Sequence, residues 1–323
     1  MNLLVAIVNY RTPELTIDCL RSLARDMLRN DVASQGRQVV VVDNASPDDS
    51  VDRIRRAIDA DGWSSWASVT AAPRNGGFAY GNNVAVREAI ASDRPPKYVL
   101  LLNSDTLVRP GAIEALVRFL DARPEVGIVG SRLEDPDGTP QCSAYRFPSL
   151  RSEFAEAVRL GAVDRLLADH VVWPGNSDVA CPIDWVAGAS MLVRSDVFRD
   201  VGPMDESYFL YYEEVDLCLR ARRAGWSCWY EPASRVVHLV GKSSGVTSRT
   251  QPKRRPAYWF DSRRRYFVQN HGRVYAALVD LVWSGGYLVR RLKEILLRRP
   301  NSDSPRLLFD YLRHSVFVRG FGT

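Results

Sequence analysis

Carboxylates fall in this sequence where chemistry on a phosphorylated small molecule would need them. Asp43 ends the run VVVVD, Asp105 ends YVLLLNSD, and Glu213, Glu214 and Asp216 open YYEEVDLCLRARRAGW. At the end of a parallel strand a carboxylate can accept hydrogen bonds from a nucleobase or ribose, or hold a divalent cation against a diphosphate. At the start of a helix, on its apolar side, it can take a proton from an attacking hydroxyl. Both positions also suit structural duties, because Asp caps helices and acids favour helix N-termini through the dipole. His238 ends RVVHL and becomes a candidate metal ligand if Asp105 holds an ion. The loop PRNGGFAYGNN (73–83) adds glycines and small amides, which let backbone approach a ligand and offer helix N–H groups to a phosphate.

The elements that must carry these residues alternate. LLVAIV (3–8), VVVVD (39–43), ASVTA (67–71) and YVLLL (98–102) read as strands, with helices over 13–27, 51–58 and 82–92 between them. Strands apolar on both faces, separated by helices, predict an α/β fold with a mostly parallel sheet covered by helices. Ligands of such sheets bind beyond the strand C-termini. Asn9-Tyr10-Arg11, Asp43-Asn44 and Asn103-Ser104-Asp105 each follow a strand and therefore predict one polar edge. Further strands are expected at 127–132, 186–194 and 228–239, and a helix over 211–226. On that helix Glu213, Asp216 and Arg220 share one face, while Glu214 lies with Leu217, Cys218 and Ala221.

At 323 residues, with 46% hydrophobic and 25% charged content, the chain is globular in composition and can bury a substantial core. Its five cysteines are scattered, odd in number and without a C-x-x-C pair, which argues against a disulfide framework or a zinc knuckle and for a reducing, cytoplasmic setting. The apolar run 3–8 is too short for a signal peptide or a spanning helix. Charge is divided unevenly: residues 241–323 carry 17 Lys and Arg against 5 Asp and Glu, leaving a net negative body before them. The stretch 275–299 is apolar but interrupted by Asp280 and Gly285-Gly286 and followed by basic residues. It predicts either an amphipathic helix on a membrane surface or a helical hairpin with a solvated basic face.

Taken in order, VAIVNYR, VVDNASPDDS, RNGGFAYGNN, LLLNSDT, WVAGASMLVR, GPMDESYFLYYEEVDLCLRARRAGW and VVHLVGKS make the chain resemble the family 2 inverting glycosyltransferases of the GT-A fold. Within them it is similar to the bacterial rhamnosyltransferase-like enzymes of cell-envelope and exopolysaccharide synthesis. The resemblance covers about 1–245, implying a glycosyltransferase domain there (1–106 nucleotide-binding, 107–245 acceptor and catalytic) and a basic helical extension over 246–323. It implies that Val8, Tyr10, Arg11, Asp43, Asn75, Gly76 and Asn83 surround the nucleotide half of a nucleotide-sugar donor. Asn103-Ser104-Asp105 takes the family's D-x-D position, so Asp105, with His238, would hold Mg²⁺ or Mn²⁺ at the diphosphate. Trp185, Gly188, Ala189, Asp205, Glu213 and Asp216 would border the acceptor, and Glu214 would be the base where the family carries an Asp. Two departures stand out: Asn103 replaces the first carboxylate of D-x-D, and Glu214 is one methylene longer than the usual Asp, which keeps Glu213 and Asp216 open as bases.

The expected reaction is inverting transfer of a sugar, L-rhamnose from a dTDP donor by subgroup, with UDP- and GDP-sugars as other donors. The acceptor is a glycan or lipid-diphosphate-linked hydroxyl. The basic extension predicts contact with an anionic membrane at its cytoplasmic face, and the aromatic residues of 258–267 are a candidate homodimer interface. A sugar nucleotidyltransferase would want a glycine-rich basic loop after the first strand, where Asn9-Tyr10-Arg11-Thr12-Pro13 has no glycine. A nucleic-acid-binding protein using the basic tail finds no helix-turn-helix, zinc or stacking pattern, and the acidic body disfavours it.

Overall fold

The computed structural model describes residues 2–27, 36–239 and 253–322. The end of VVHLVGKS and the expected boundary at 245–246 lie outside the described residues. The chain divides into two compact units: Met1–Tyr145 with Gly175–Phe209 and Glu213–Ser243, and Arg146–Pro174 with Leu210–Tyr212 and Ser244–Thr323. The basic C-terminal region thus folds together with a segment taken from the middle of the sequence.

The first unit is built on strands β1 (Leu3–Asn9), β2 (Arg37–Asp43), β3 (Ala67–Ala71), β4 (Tyr98–Asn103), β5 (Thr106–Val108), β6 (Val126–Glu134), β7 (Ala144–Tyr145), β8 (Cys181–Ile183), β9 (Trp185–Val186), β10 (Ser190–Arg194) and β11 (Ser227–His238). Its main sheet runs β3-β2-β1-β4-β10-β6-β11-β5, with β8 also on β11 and a separate β7–β9 pair. The first four strands are parallel, as the alternating pattern predicts. β10 enters antiparallel between β4 and β6 and ends the parallel half. β4 is buried over five consecutive residues, so both of its faces are covered.

Register sets the level of the polar edge. Asn9 pairs with Asp43 at the ends of β1 and β2, and Val8 pairs with Asn103 at the end of β4. On the far side of the sheet, His238 pairs with Thr106, which brings it beside Asp105.

Two elements differ from expectation for identifiable reasons. The helix placed at 82–92 starts at Gly77 and runs to Ile90. The otherwise orphaned first-turn N–H of Phe78 donates to the Phe209 carbonyl at 2.9 Å, which lets the helix begin inside a glycine pair. The single strand expected over 186–194 is broken at 187–189 into β9 and β10, where Ala187 N–H is drawn to the Ser143 carbonyl at 3.0 Å.

In the second unit the helices are Leu150–Val158, Gly161–Leu166, Ala257–His271, Arg273–Leu296, Leu307–Arg313 and Val316–Arg319. Ala157, Phe260, Trp283, Tyr287, Leu307 and Tyr311 form its core. Asp280 and Gly285-Gly286 do not interrupt the long helix. Asp280 is buried, accepting from Arg263 at 2.9 Å and from the Val316 N–H at 2.9 Å. A Cβ on Gly286 would stand 2.9 Å from Val158 Cγ2 and 3.0 Å from Ala157 Cβ, so the glycine allows two helices to approach. Of the aromatic candidates for a dimer interface, Phe260, Tyr266 and Phe267 are buried inside this unit, while Tyr258 and Trp259 are half-buried. Among the described residues, no helix is long and apolar enough to cross a membrane, and all five cysteines are free.

Candidate active site

At the β1–β2 end, Asp43 is held by its neighbours. Asn9 Nδ2 donates to Oδ1 at 2.6 Å, and Ser46 reaches both oxygens, through its hydroxyl at 2.7 Å and its N–H at 2.8 Å. The same Ser46 hydroxyl accepts from the Arg11 N–H at 2.9 Å. Arg11 and Ala45 both adopt left-handed backbone (φ 58° and 57°), a conformation that costs a non-glycine residue energy and that these bonds sustain. Tyr10 and Arg11 are exposed at this edge. Asn44 Nδ2 bridges Asn75 Oδ1 at 3.0 Å and the Gly77 carbonyl at 2.9 Å, fixing the 75–77 loop against β2. Val8 packs where a Cβ on Gly81 would meet it at 2.7 Å, so this glycine lets the helix lie close on β1.

At the β4 end, Asp105 is buried and its Oδ1 lies 3.5 Å from His238 Nε2. Asn103 Nδ2 is 3.5 Å from the same ring nitrogen. Ser104 approaches the Thr12 hydroxyl at 3.4 Å. Among the described residues, no three His, Cys, Asp or Glu side chains gather as a complete metal cage. One carboxylate and one imidazole on a shared edge are a donor set that would suit a divalent ion, which would carry charge neutralisation for a bound diphosphate.

Across the sheet edge stands the acid pair. Glu214 is half-buried at the start of the helix Glu213–Arg223, and its carboxylate accepts from the Gly188 N–H and from its own. Burial outweighs these bonds and raises its carboxyl to about 7. Its Oε2 has no hydrogen-bond partner. Glu213 is 2% exposed, and burial followed by the neighbouring Glu214 charge raises its carboxyl well above the usual range. A Cβ on Gly188 would come within 3.1 Å of the Phe78 ring, which would have to give way to it. The next residue closes the site: the Ala189 carbonyl accepts from the Asn103 N–H at 3.1 Å. Glu214 and the Asn103 strand end are thus tied to neighbouring residues of the 188–189 backbone. Trp185 stacks on Tyr145 with centroids 4.2 Å apart, and burial raises the Tyr145 hydroxyl.

Several expected site residues are occupied within the fold. Asn83 is buried and exchanges hydrogen bonds with the Met204 backbone at 2.8 and 3.1 Å, while donating to Glu206 at 3.0 Å. Asp216 is fully buried and binds Arg220 at 2.7 Å, which in turn caps the carbonyls of Val201 and Pro203. The face assigned to Glu213, Asp216 and Arg220 is therefore interior, neutralised by its own arginine. Asp205 accepts from the Ser207 N–H at 2.9 Å in a local turn. Gly76 lies against the Tyr80 ring. Sequence reasoning placed Asn9 and Asn44 on the polar edge without giving them a role, and it missed Phe78 and Tyr145. The aromatic pair has no local signal.

A family model for glycosyl transferase family 2 matches residues 4–172, and one for glycosyl transferase family group 2 matches 98–302. N-acetylglucosaminyl-diphospho-decaprenol L-rhamnosyltransferase of Mycobacterium tuberculosis is 34% identical over 159 residues, 46% of this chain and 48% of that protein. Rhamnosyltransferase WbbL of Escherichia coli is 30% identical over 167 residues, 51% of this chain and 61% of that protein. The chain thus spans about half the length of the first relative and somewhat more of the second. Mannosyltransferase PcManGT from Pyrobaculum calidifontis, solved with GDP-Man and Mn²⁺, superposes with a TM-score of 0.56 at 15% identity, covering 99% of this chain and 84% of that one. GalNAc-T7, solved with UDP, GalNAc and Mn²⁺, gives 0.56 at 13% identity over 92% of this chain and 56% of that one. The fold is the expected GT-A fold.

Proposed function

The chain belongs to glycosyl transferase family 2, and from that premise we propose that it transfers a sugar from a nucleotide-sugar donor to a hydroxyl of a glycan or lipid-linked acceptor, with inversion. The names of its relatives favour L-rhamnose as the sugar and a lipid-diphosphate-linked saccharide as the acceptor. The observation that carries the reading is Glu214: a half-buried carboxyl raised to about 7, with one oxygen unpartnered and the other fixed by backbone N–H groups.

In this reading the ionised Glu214 accepts the proton of the acceptor hydroxyl as its oxygen bonds to the anomeric carbon. The bond to the donor diphosphate breaks on the opposite face, and the electron pair leaves with the nucleoside diphosphate. Asp105 and His238 are the residues that would hold Mg²⁺ or Mn²⁺, whose charge neutralises the departing diphosphate. Gly188 fixes the base through its N–H, and the Tyr145–Trp185 stack supplies a flat apolar wall of the kind that packs on sugar rings. Glu213 is less suited to the base role because it is more deeply buried and more strongly held neutral.

Glu214→Gln tests this. Nucleotide release with dTDP-, UDP- and GDP-sugars, with acceptor present, should fall by about 10²–10⁴-fold, while donor affinity by calorimetry stays within about twofold, a difference below ~0.5 kcal/mol. Unchanged turnover in the variant overturns the assignment. The basic second unit supports a further part of the reading, a peripheral site of action at the cytoplasmic face of an anionic membrane.

A further inference from the structure

The second unit carries an open cleft of about 400 Å³ whose walls include Arg254, Arg255, Phe260, Arg313, His314 and Arg319, with Asp310 as their one acid. Asp310 is already used, bound by Arg254 through two bonds of 2.8 and 2.6 Å. His314 Nδ1 lies 2.9 Å from Asp261. Arg255 is stacked over Trp259 at 4.1 Å, which orients its guanidinium and leaves its charge unneutralised. Among the described residues, no carboxylate pairs with Arg255, Arg313 or Arg319. Three guanidiniums around one cleft repel one another, and the planar fork of each matches phosphate oxygens.

The surroundings indicate what carries the phosphate. The two short helices that bring Arg313 and Arg319 also expose Phe309, Leu312, Phe317 and Val318, the last two at 60% and 65%. The long helix of the same unit exposes Leu288, Leu292 and Ile295 at i, i+4 and i+7, an apolar stripe on the side away from buried Trp283, Tyr287 and Arg290. A soluble phosphate has no use for this apolar surface, whereas a lipid headgroup in a bilayer interface presents charge and hydrocarbon together.

We propose that this cleft binds the phosphoryl or diphosphoryl headgroup of a membrane lipid, with Arg255, Arg313 and Arg319 on the phosphate and Phe317 and Val318 in the acyl boundary. The inference deepens the lipid-linked-acceptor reading, resting on it only for the possibility that the diphosphate is the acceptor's own.

The test is sedimentation of the full chain with vesicles in the absence of donor. Vesicles are phosphatidylcholine alone, or phosphatidylcholine with either phosphatidylglycerol or a polyprenyl diphosphate; inorganic pyrophosphate is titrated separately. The chain should be retained by one or both anionic vesicles, and the better retention identifies the headgroup. Arg255→Gln/Arg313→Gln/Arg319→Gln should weaken retention about a hundredfold, with the triple Lys variant recovering part of it. Phe317→Ser/Val318→Ser should weaken retention on anionic vesicles while leaving pyrophosphate binding unchanged. Equal retention of the Gln variant and the parent chain overturns the proposal. So does binding confined to free pyrophosphate, or an apolar face that drives self-association and no vesicle binding. Glu214→Gln should sediment like the parent chain whether or not it transfers sugar, so failure of the catalytic reading and failure of this one are distinguishable.

Discussion

Burial and hydrogen bonding pull the Glu214 carboxyl in opposite directions, and burial prevails. A base of this kind acts only once ionised. The rate of transfer should therefore rise with pH along a limb centred near 7, and a flat profile between pH 5 and 8 would remove Glu214 from the role. The same raised value has a cost in stability. Below the ordinary carboxyl value both folded and unfolded chains hold the proton; as pH climbs toward 7 the unfolded chain releases it first and the folded state loses ground. Glu214→Gln removes that loss, so the variant should gain on the parent by on the order of 2 kcal/mol between pH 5 and pH 8 in denaturant titrations. At the strand end, Asp105 is the one carboxylate of Asn103-Ser104-Asp105. Asp105→Ala should abolish the dependence of activity on added Mg²⁺ or Mn²⁺, whereas Asn103→Ala should only raise the metal concentration needed. Equal effects of the two would contradict the assignment.

At the scale of elements, the site depends on places where backbones come closer than side chains allow. Gly77 has φ 86°, and a Cβ on it would fall 1.9 Å from the Phe209 carbonyl oxygen, the group that caps the first turn of its helix. Gly77→Ala meets both a left-handed backbone and a clash, and should lower stability by about 2 kcal/mol or more, seen as a shifted denaturant midpoint. Gly62→Ala, with φ 71° and open space around it, serves as the control, bearing the backbone penalty alone. Just before the acid pair, Tyr211 and Tyr212 both have positive φ, at 70° and 69°. Two consecutive bulky residues there hold strain immediately before the helix that opens with Glu213 and Glu214, a cost that recurs at functional sites.

At the scale of the whole chain, each unit has its own interior logic. In the second, Arg263 joins two carboxylates that the sequence holds far apart: it donates to Glu153 at 2.6 Å and to Asp280 at 2.9 Å, with all three groups buried. Arg263→Met would leave two buried acids facing each other and should cost about 3–5 kcal/mol, read from denaturant unfolding; a change below 1 kcal/mol would show that the triad contributes no stability. Local pattern was enough to predict the parallel sheet, the polar edge made by Asp43 and Asp105, and the helix opening with Glu214, because apolar runs and the residues that end them are written consecutively. The same pattern did not show that Asn83 and Asp216 tie down other parts of the chain, since a polar residue near a ligand edge and one that holds a backbone look alike until the partner is known. Asn83 finds Met204, more than a hundred positions away. The break of one expected strand at 187–189, which turns the Gly188 N–H toward Glu214, and the recruitment of 146–174 into the basic unit were likewise settled only in three dimensions. Sequence by itself determined which residues can do chemistry and on which kind of element they ride. Tertiary structure decided which of them keep an oxygen free to do it, because desolvation, backbone donors and distant partners exist only once the chain has packed.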